Sequence, residues 1–377
     1  MRVNISVHGR WHAFELANGL HRRGAMGRLV TTYPAIVARR FVAPGIEIRS
    51  RPLLELRRRV YDRWHIGAKP DLAIAIAFAR YAARSATSNA DILVGWSSAT
   101  LEAIAPARSR GLKVVVERGS THILNQMRIL TEAYDEFGLV YDGTHVGIIE
   151  RELAEYAAAD AIAVPTSFAA DSFVAEGIAR AKLIVNPYGV DLARFAPAPR
   201  DPNTTRPVRV LFVGRVGIQK GVPWLLKAFA RLDGAAELHL IGPVDSEAAV
   251  FLGSRSANVV VRGALPGPAL AAEYAAADIF CLPSLQEGMP LTLLQAMASG
   301  LPSVVSPAAQ GPVCDGREGL VVSAKSVDDM AAALERLIRS PEERRSMGTK
   351  ARAVVAQGYG WQDYADRALA AFGTLLA

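Results

Sequence analysis

Glu287, Gly288 and Met289 stand between an apolar run that ends near Pro283 and a segment of helical spacing that opens at Pro290. Proline suits the first turn of a helix, where its missing N–H costs nothing. Gly300 fits the left-handed position that stops such a helix, and Pro302 blocks its continuation. The stretch therefore reads as strand, tight turn, short helix, glycine stop and next strand. Such a turn aims backbone amides and the positive end of a helix dipole at one place, which makes an anion site. The Glu287 carboxylate would compete with a phosphate, so its expected partner is uncharged, as sugar hydroxyls are. A second group follows the run Val208–Val213: Gly214 and Arg215, then Lys220 and Gly221. Two cations at a strand end, beside glycines that let backbone come close, suit a diphosphate.

The stretch from Cys281 to Val304 resembles the nucleotide-sugar site of the family-4 glycosyltransferases, which have the GT-B fold. That family carries a glutamate, seven residues and a second glutamate. Here the first is Glu287 and the second position holds Gln295. Val213-Gly214-Arg215 with Lys220-Gly221 looks like the family's diphosphate-binding strand end. Ala159 to Ser167 and Asn186 to Asp191 resemble its interdomain region, so the likeness runs over residues 155–365. It is specific to the family and says little about the substrate.

The resemblance implies a retaining transfer from a UDP- or GDP-linked sugar to an acceptor hydroxyl, in polysaccharide or glycolipid synthesis. It implies donor contacts from Gly214, Arg215, Lys220, Arg262, Gly263, Glu287, Gly288, Met289, Pro290, Leu291 and Gln295. Arg215 and Lys220 would neutralise charge growing on the leaving diphosphate, a task for preorganised electrostatics. Gln295 would still meet the ribose, without the charge-assisted part of that hydrogen bond. His122 follows the run Val114–Glu117, and a family histidine in this region contacts the transferred sugar; a structural or acceptor-side histidine is the alternative. Glu287, His122, Arg215 and Lys220 are then the residues of the chemical step. Gly9, Arg10, His12 and Arg118 are expected on the acceptor side, although the loop from His8 to His12 is less glycine-rich than the family's. No Asp-x-Asp tripeptide and no zinc-spaced His/Cys cluster occurs. No metal and no cofactor is expected, the nucleotide sugar being a substrate. Two rivals stay open: another GT-B enzyme, such as a phosphorylase or sugar-nucleotide epimerase, and a noncatalytic nucleotide-sugar-binding subunit, which Gln295 favours.

Short apolar runs alternate with amphipathic segments along the whole chain, the pattern of α/β folds with parallel sheets covered by helices. Strands are expected near Val3–Val7, Leu29–Thr32, Ile92–Gly95, Val114–Glu117, Ala161–Pro165 and Leu183–Asn186. A second set lies near Val208–Val213, Glu237–Ile241, Val259–Arg262, Ile279–Pro283, Ser303–Ser306 and Gly319–Val322. This predicts two Rossmann-like, doubly wound domains facing a cleft, with ligands outside the carboxyl ends of the strands. The expected division is an acceptor-binding domain over 1–190, a nucleotide-sugar domain over 191–355, and a terminal helix over 356–377. The family likeness implies that this helix crosses back onto the first domain. The proline-rich stretch from Ala196 to Asn203 reads as a linker.

The chain has 377 residues, enough for two cores. No apolar run approaches the ~20 residues needed to span a bilayer. Two cysteines give no disulfide framework, and cytoplasmic residence is the default expectation. The net charge of +7 is uneven: residues 1–100 hold 16 Arg/Lys against 6 Asp/Glu, and the remainder 27 against 30. Between Arg51 and Trp64, five arginines interleave with Leu53, Leu54, Leu56, Val60 and Tyr61. A basic helix with an apolar face is attracted to an anionic membrane surface, here the inner face of the membrane. The alternative is a solvated arginine helix with its apolar face on the core. Nucleic acid is not expected, because no recognition motif or stacking platform accompanies the charge.

Overall fold

Thirteen strands form two all-parallel sheets in a computed structural model that describes residues 1–198, 206–232, 234 and 236–377. The first sheet contains β1 (Val3–Val7), β2 (Met26–Thr31), β3 (Glu47–Ser50), β4 (Ile92–Trp96), β5 (Lys113–Glu117), β6 (Ala161–Val164) and β7 (Leu183–Val185), in the order β3-β2-β1-β4-β5-β6-β7. The second contains β8 (Val208–Val213), β9 (Ala236–Ile241), β10 (Val259–Gly263), β11 (Ile279–Leu282), β12 (Ser303–Val305) and β13 (Gly319–Val321), in the order β10-β9-β8-β11-β12-β13. Every residue of β1, β4, β6 and β11 is buried. Strands covered on both faces read as continuous apolar runs, which is why they were legible in the sequence. β3 was not. It is a four-residue edge strand, Glu-Ile-Arg-Ser, with no fully buried residue.

Each sheet reverses its winding at one place. β1 pairs with both β2 and β4, and β8 pairs with both β9 and β11. In doubly wound sheets the crevice at this switch point, outside the strand carboxyl ends, is where ligands bind. In the first unit that places the loops after Val7, Thr31, Trp96 and Glu117 around one site. In the second it brings together the loops after Val213 and Leu282.

The chain divides into two compact units. One comprises Met1–Met127, Asp142–Pro187 and Trp361–Ala377; the other comprises Arg128–Tyr141 and Tyr188–Gly360. Residues 128–141 go with the second unit, although their sequence position lies inside the expected 1–190. Of the expected linker, Ala196, Pro197 and Ala198 are described, and the stretch from Pro199 to Asn203 lies outside the described residues.

The terminal helix Trp361–Leu376 is part of the first unit and packs on helix Ala13–Arg22. The contact is close enough that a Cβ on Gly19 would fall 2.2 Å from the Ala365 Cβ. Arg23 forks onto Asp366 at 2.8 and 2.6 Å, and Asn186 donates to the Tyr364 carbonyl at 3.2 Å. Among the described residues no helix is long and apolar enough to cross a membrane.

Helix Pro52–Trp64 inverts the usual amphipathic arrangement. Its one fully buried residue is Glu55, 3 % exposed, while Leu53 is 72 % and Trp64 is 62 % exposed. The helix divides between the two expectations: Leu54 packs against the core and Val60 and Tyr61 are partly covered, whereas Leu53, Leu56 and Trp64 are exposed. The inversion follows from ion pairing, since the Glu55 carboxylate accepts from Arg58 at 2.7 Å and Arg59 at 2.9 Å.

Candidate active site

In the second unit the site is built from two loops that lock together. After β8 the chain runs Gly214 to Gly221 and enters helix Val222–Phe229. Gly221 has φ +73°, and a Cβ there would lie 2.0 Å from the Pro283 carbonyl oxygen, so only glycine permits this approach of the β8 loop to the end of β11. Leu285 N–H donates to the Gln219 carbonyl at 3.0 Å and Gln219 Nε2 to Gln286 Oε1 at 3.2 Å. Lys220 Nζ then reaches Glu287 Oε1, which also accepts from Ser284 Oγ at 2.7 Å. Arg215 sits at the other end of the loop, where its guanidinium donates to Asp245 Oδ1 at 2.8 Å.

Helix Leu291–Ala298 starts directly after Glu287, Gly288 and Met289, with Pro290 at its N-cap position and no side chain capping it. The uncapped start carries the positive end of the helix dipole. Met289 is buried, and its sulfur accepts from the Tyr188 N–H at 3.2 Å, which fixes the turn. Gln295 lies on the second turn. Its Oε1 accepts from the hydroxyl of the fully buried Tyr274 at 3.1 Å, and the same hydroxyl reaches the Thr292 carbonyl at 3.1 Å. Arg262 and Gly263 end the edge strand β10, two strands from β8. The Arg262 guanidinium pairs there with Glu273 at 3.1 Å. Arg215, Lys220, Glu287 and the start of the helix at Leu291 thus share the switch point, and Arg262 does not.

The first unit holds a cavity of about 480 Å³ at the carboxyl ends of its strands. His8, Gly9, Arg10, Glu55, Arg118 and Gln126 line it, with apolar wall from Ile74, Ile123 and Ile148. Gly9 has φ +137°, which turns the chain sharply after β1. Arg10 lies over the Phe41 ring, 3.8 Å from its centroid. Arg118 is buried, and donates to the Thr121 carbonyl at 3.1 Å, Glu152 at 2.9 Å and Gln126 Oε1 at 2.8 Å. His8 Nδ1 is buried without a hydrogen-bond partner, and burial, reinforced by Arg58, pushes its pKa down to about 4. His8 therefore meets the cavity as a neutral imidazole.

Two expected histidines lie elsewhere. His12 is turned inward, with Nε2 2.9 Å from Glu117 Oε1 and its ring against Trp96 and Tyr364 at 5.1 and 5.8 Å. His122 is 2 % exposed and packs on Tyr156 and Phe173 at 5.2 and 5.0 Å. Its Nδ1 accepts from the Leu124 N–H at 3.3 Å, at the start of helix Ile123–Asp135, and burial lowers its pKa to about 4. The cavity wall beside it is Ile123, Arg118 and Gln126. The geometry places His122 at the helix start, packed on Tyr156 and Phe173 and next to the cavity wall. A histidine one residue from a cavity wall cannot be told by type from one in it. Sequence reasoning missed Asp245 and Glu55 as site residues. Asp245 shows a usable signal, a carboxylate two residues beyond the Gly242-Pro243 pair that ends β9.

Comparison with known proteins gives residues 207–340 a match to the family described as Glycosyl transferases group 1. That segment contains Arg215, Lys220, Glu287 and Gln295. An MMP alpha-(1->4)-mannosyltransferase of Mycolicibacterium hassiacum is 33% identical over 228 residues, covering 57% of this chain and 54% of the relative. A D-inositol 3-phosphate glycosyltransferase of Kribbella flavida is 38% identical over 217 residues, covering 51% of this chain and 50% of the relative. The chain thus spans about half the length of the curated relatives it matches. Among solved structures, the sucrose-phosphate synthase of Thermosynechococcus elongatus superposes with a TM-score of 0.71 at 20% identity, over 99% of this chain and 98% of the other. Anabaena HepE, solved with UDP and glucose, gives 0.69 at 13% identity over 99% of this chain and 100% of the other. At these identities the likeness establishes the fold alone: two Rossmann-like α/β domains of the GT-B kind.

Proposed function

We propose that this chain, with its group 1 glycosyl transferase segment and GT-B fold, is a glycosyltransferase. It moves a sugar from a UDP- or GDP-linked donor to an acceptor hydroxyl, with retention of configuration. The observation that carries this reading is the meeting of Arg215, Lys220, Glu287 and the uncapped start of helix Leu291–Ala298 at the β8/β11 switch point. Arg215 and Lys220 hold the diphosphate and take up the charge that grows as the bond to the sugar breaks. Glu287, released from Lys220 by the phosphates, accepts from hydroxyls of the transferred sugar. The acceptor hydroxyl attacks from the face the nucleotide leaves, and its proton passes to the departing phosphate, so no protein nucleophile is required. The two side-chain cations carry the electrostatic work a metal does elsewhere, and the reaction proceeds without one.

The acceptor ring occupies the cavity at the β1/β4 end. Its mixed lining, with neutral His8 and the Gln126 amide beside isoleucine walls, supports a polyhydroxylated ring. The exposed leucines, tryptophan and arginines of helix Pro52–Trp64 support a lipid-linked acceptor drawn from an anionic membrane surface, as on the inner membrane face of a cytoplasmic enzyme. A second reading, a noncatalytic nucleotide-sugar-binding subunit, draws support from Gln295, whose amide oxygen is already engaged by Tyr274. One assay separates the two. The purified chain is incubated with UDP-glucose or GDP-mannose, with and without EDTA, and free nucleoside diphosphate is followed. Slow release that Arg215→Ala abolishes supports the enzyme and persistence in EDTA supports metal independence; tight binding without release supports the subunit.

A further inference from the structure

Asp245 lies on the loop after β9, which is bound to the first half of the β8 loop, Gly214 to Gly217. Val216 N–H donates to the Pro243 carbonyl at 2.8 Å, and Asp245 N–H donates to the Val216 carbonyl at 3.1 Å. The side chain lies flat on the same loop, since a Cβ on Gly217 would fall 2.1 Å from Asp245 Oδ2. Gly242, at φ +143°, brings the β9 loop in, and a Cβ there would lie 1.9 Å from the Gly214 carbonyl oxygen. Asp245 is 15% exposed and Arg215 57%, so the carboxylate is the fixed partner and the guanidinium the movable one. The neighbouring Glu247 accepts from the Tyr134 hydroxyl at 2.7 Å and adds its negative charge to the surroundings of Asp245. Burial pushes the Asp245 carboxyl above its ordinary value in spite of Arg215, which marks the carboxylate as incompletely compensated.

The unliganded site thus alternates charge: Arg215 with Asp245, Lys220 with Glu287. Glu287 has a role once a donor arrives, in accepting from sugar hydroxyls. Asp245 has none, because a carboxylate cannot hydrogen-bond a phosphate and repels it. We propose that Asp245 is a tethered competitor for the diphosphate, holding Arg215 when the site is empty and recapturing it as the nucleotide leaves. This rests on the reading of Arg215 as a diphosphate ligand. The pair lowers affinity for the nucleoside diphosphate product and so shortens its residence.

Calorimetry with UDP and GDP tests this on four full-length proteins: the native chain, Asp245→Asn, Arg215→Ala and the double variant, each first shown to melt as the native chain does. Asp245→Asn should bind the preferred nucleotide about two- to fivefold more tightly, the usual worth of a partly exposed ion pair. The gain should vanish when Arg215 is absent, which a general structural effect of residue 245 would not do. Unchanged or weaker binding in Asp245→Asn, while Arg215→Ala weakens it, would show that Asp245 orients Arg215 and would overturn the competitor role alone. No change in Arg215→Ala would overturn the diphosphate assignment and this proposal with it.

Discussion

Lys220 donates to Glu287, so two groups from the ends of different strands, β8 and β11, form one ion pair that Ser284 also supports. Both partners are largely buried, and each leaves the other uncompensated if removed.

Lys220→Ala should therefore do two kinds of damage. It removes a charged hydrogen bond to the diphosphate, worth ~1.5–3 kcal/mol. It also leaves Glu287 as an unpaired carboxylate facing phosphate. Arg215→Ala removes a comparable contact and leaves Asp245 unpaired, a smaller penalty because the Arg215–Asp245 pair is the more exposed of the two. Calorimetry with nucleoside diphosphate should show a loss in both variants, larger for Lys220→Ala, and full affinity in both would refute the assignment.

Gln295 is expected to reach the ribose through the amide nitrogen that Tyr274 leaves available. Gln295→Glu should preserve nucleotide affinity or raise it by at most ~1–1.5 kcal/mol, because a carboxylate can accept from Tyr274 and from the diol together. Gln295→Ala should weaken UDP more than 2′-deoxy-UDP. Equal losses, or none, would mean that the residue serves only to anchor Tyr274.

Acid should destabilise the first unit between pH 6.5 and 4. The folded-state pKa values of His8 and His122 fall from 6.5 to about 4, so the unfolded chain binds protons first. Stability from each is complete above pH 6.5 and is lost as pH falls. Glu155 acts in the opposite sense. Its carboxyl caps helix Leu101–Arg108 through the Ser98, Thr100 and Leu101 amides, and burial raises its pKa from 4.5 to about 7. It therefore binds a proton earlier in the folded state and gains stability as pH falls towards 4.5. Two histidines against one glutamate leave a net loss of about one pKa unit between pH 7 and 5, roughly 1.4 kcal/mol. Melting curves of the native chain and His122→Gln test this: the acid-induced drop should shrink in the variant, and an equal drop would remove His122 from the account.

Vesicle binding should follow charge and the exposed apolar row. Sedimentation with anionic vesicles should bring the chain down, and neutral vesicles should not. Each arginine near the surface adds about 1 kcal/mol, a contribution that salt weakens. Replacing Leu53, Leu56 and Trp64 with serine should lower binding several-fold without changing the melting temperature, since these side chains are exposed. Equal binding to both vesicle types, or to neither, would count against a membrane-surface role.

The loops after β8 and β11 were legible because their chemistry coincides with backbone punctuation. Gly221 and Pro290 mark turns, and the cations and Glu287 stand beside them. Strands covered on both faces announced themselves as apolar runs. What escaped reading depends on partners distant in sequence. The packing of His122 on Tyr156 and Phe173 could not be read from its own position, and Leu53 looks like core until Glu55 takes the buried face. Asp245 acquires meaning only through Arg215, thirty residues earlier. β3 fails for a different reason, since its four residues are partly covered or exposed and only Ile48 among them is apolar.

The contact of Gly19 with Ala365 has a consequence for biosynthesis. The first unit alternates with the second along the chain, so a ribosome makes its sheet strands well before the helix Trp361–Leu376. Until residues past Trp361 emerge, the surface around Gly19 and Leu16 has no cover and the Glu117 carboxylate lacks the Tyr364 hydroxyl. The last segment of the second unit, by contrast, ends at Gly360. Every segment of the second unit is thus synthesised before the helix that completes the first.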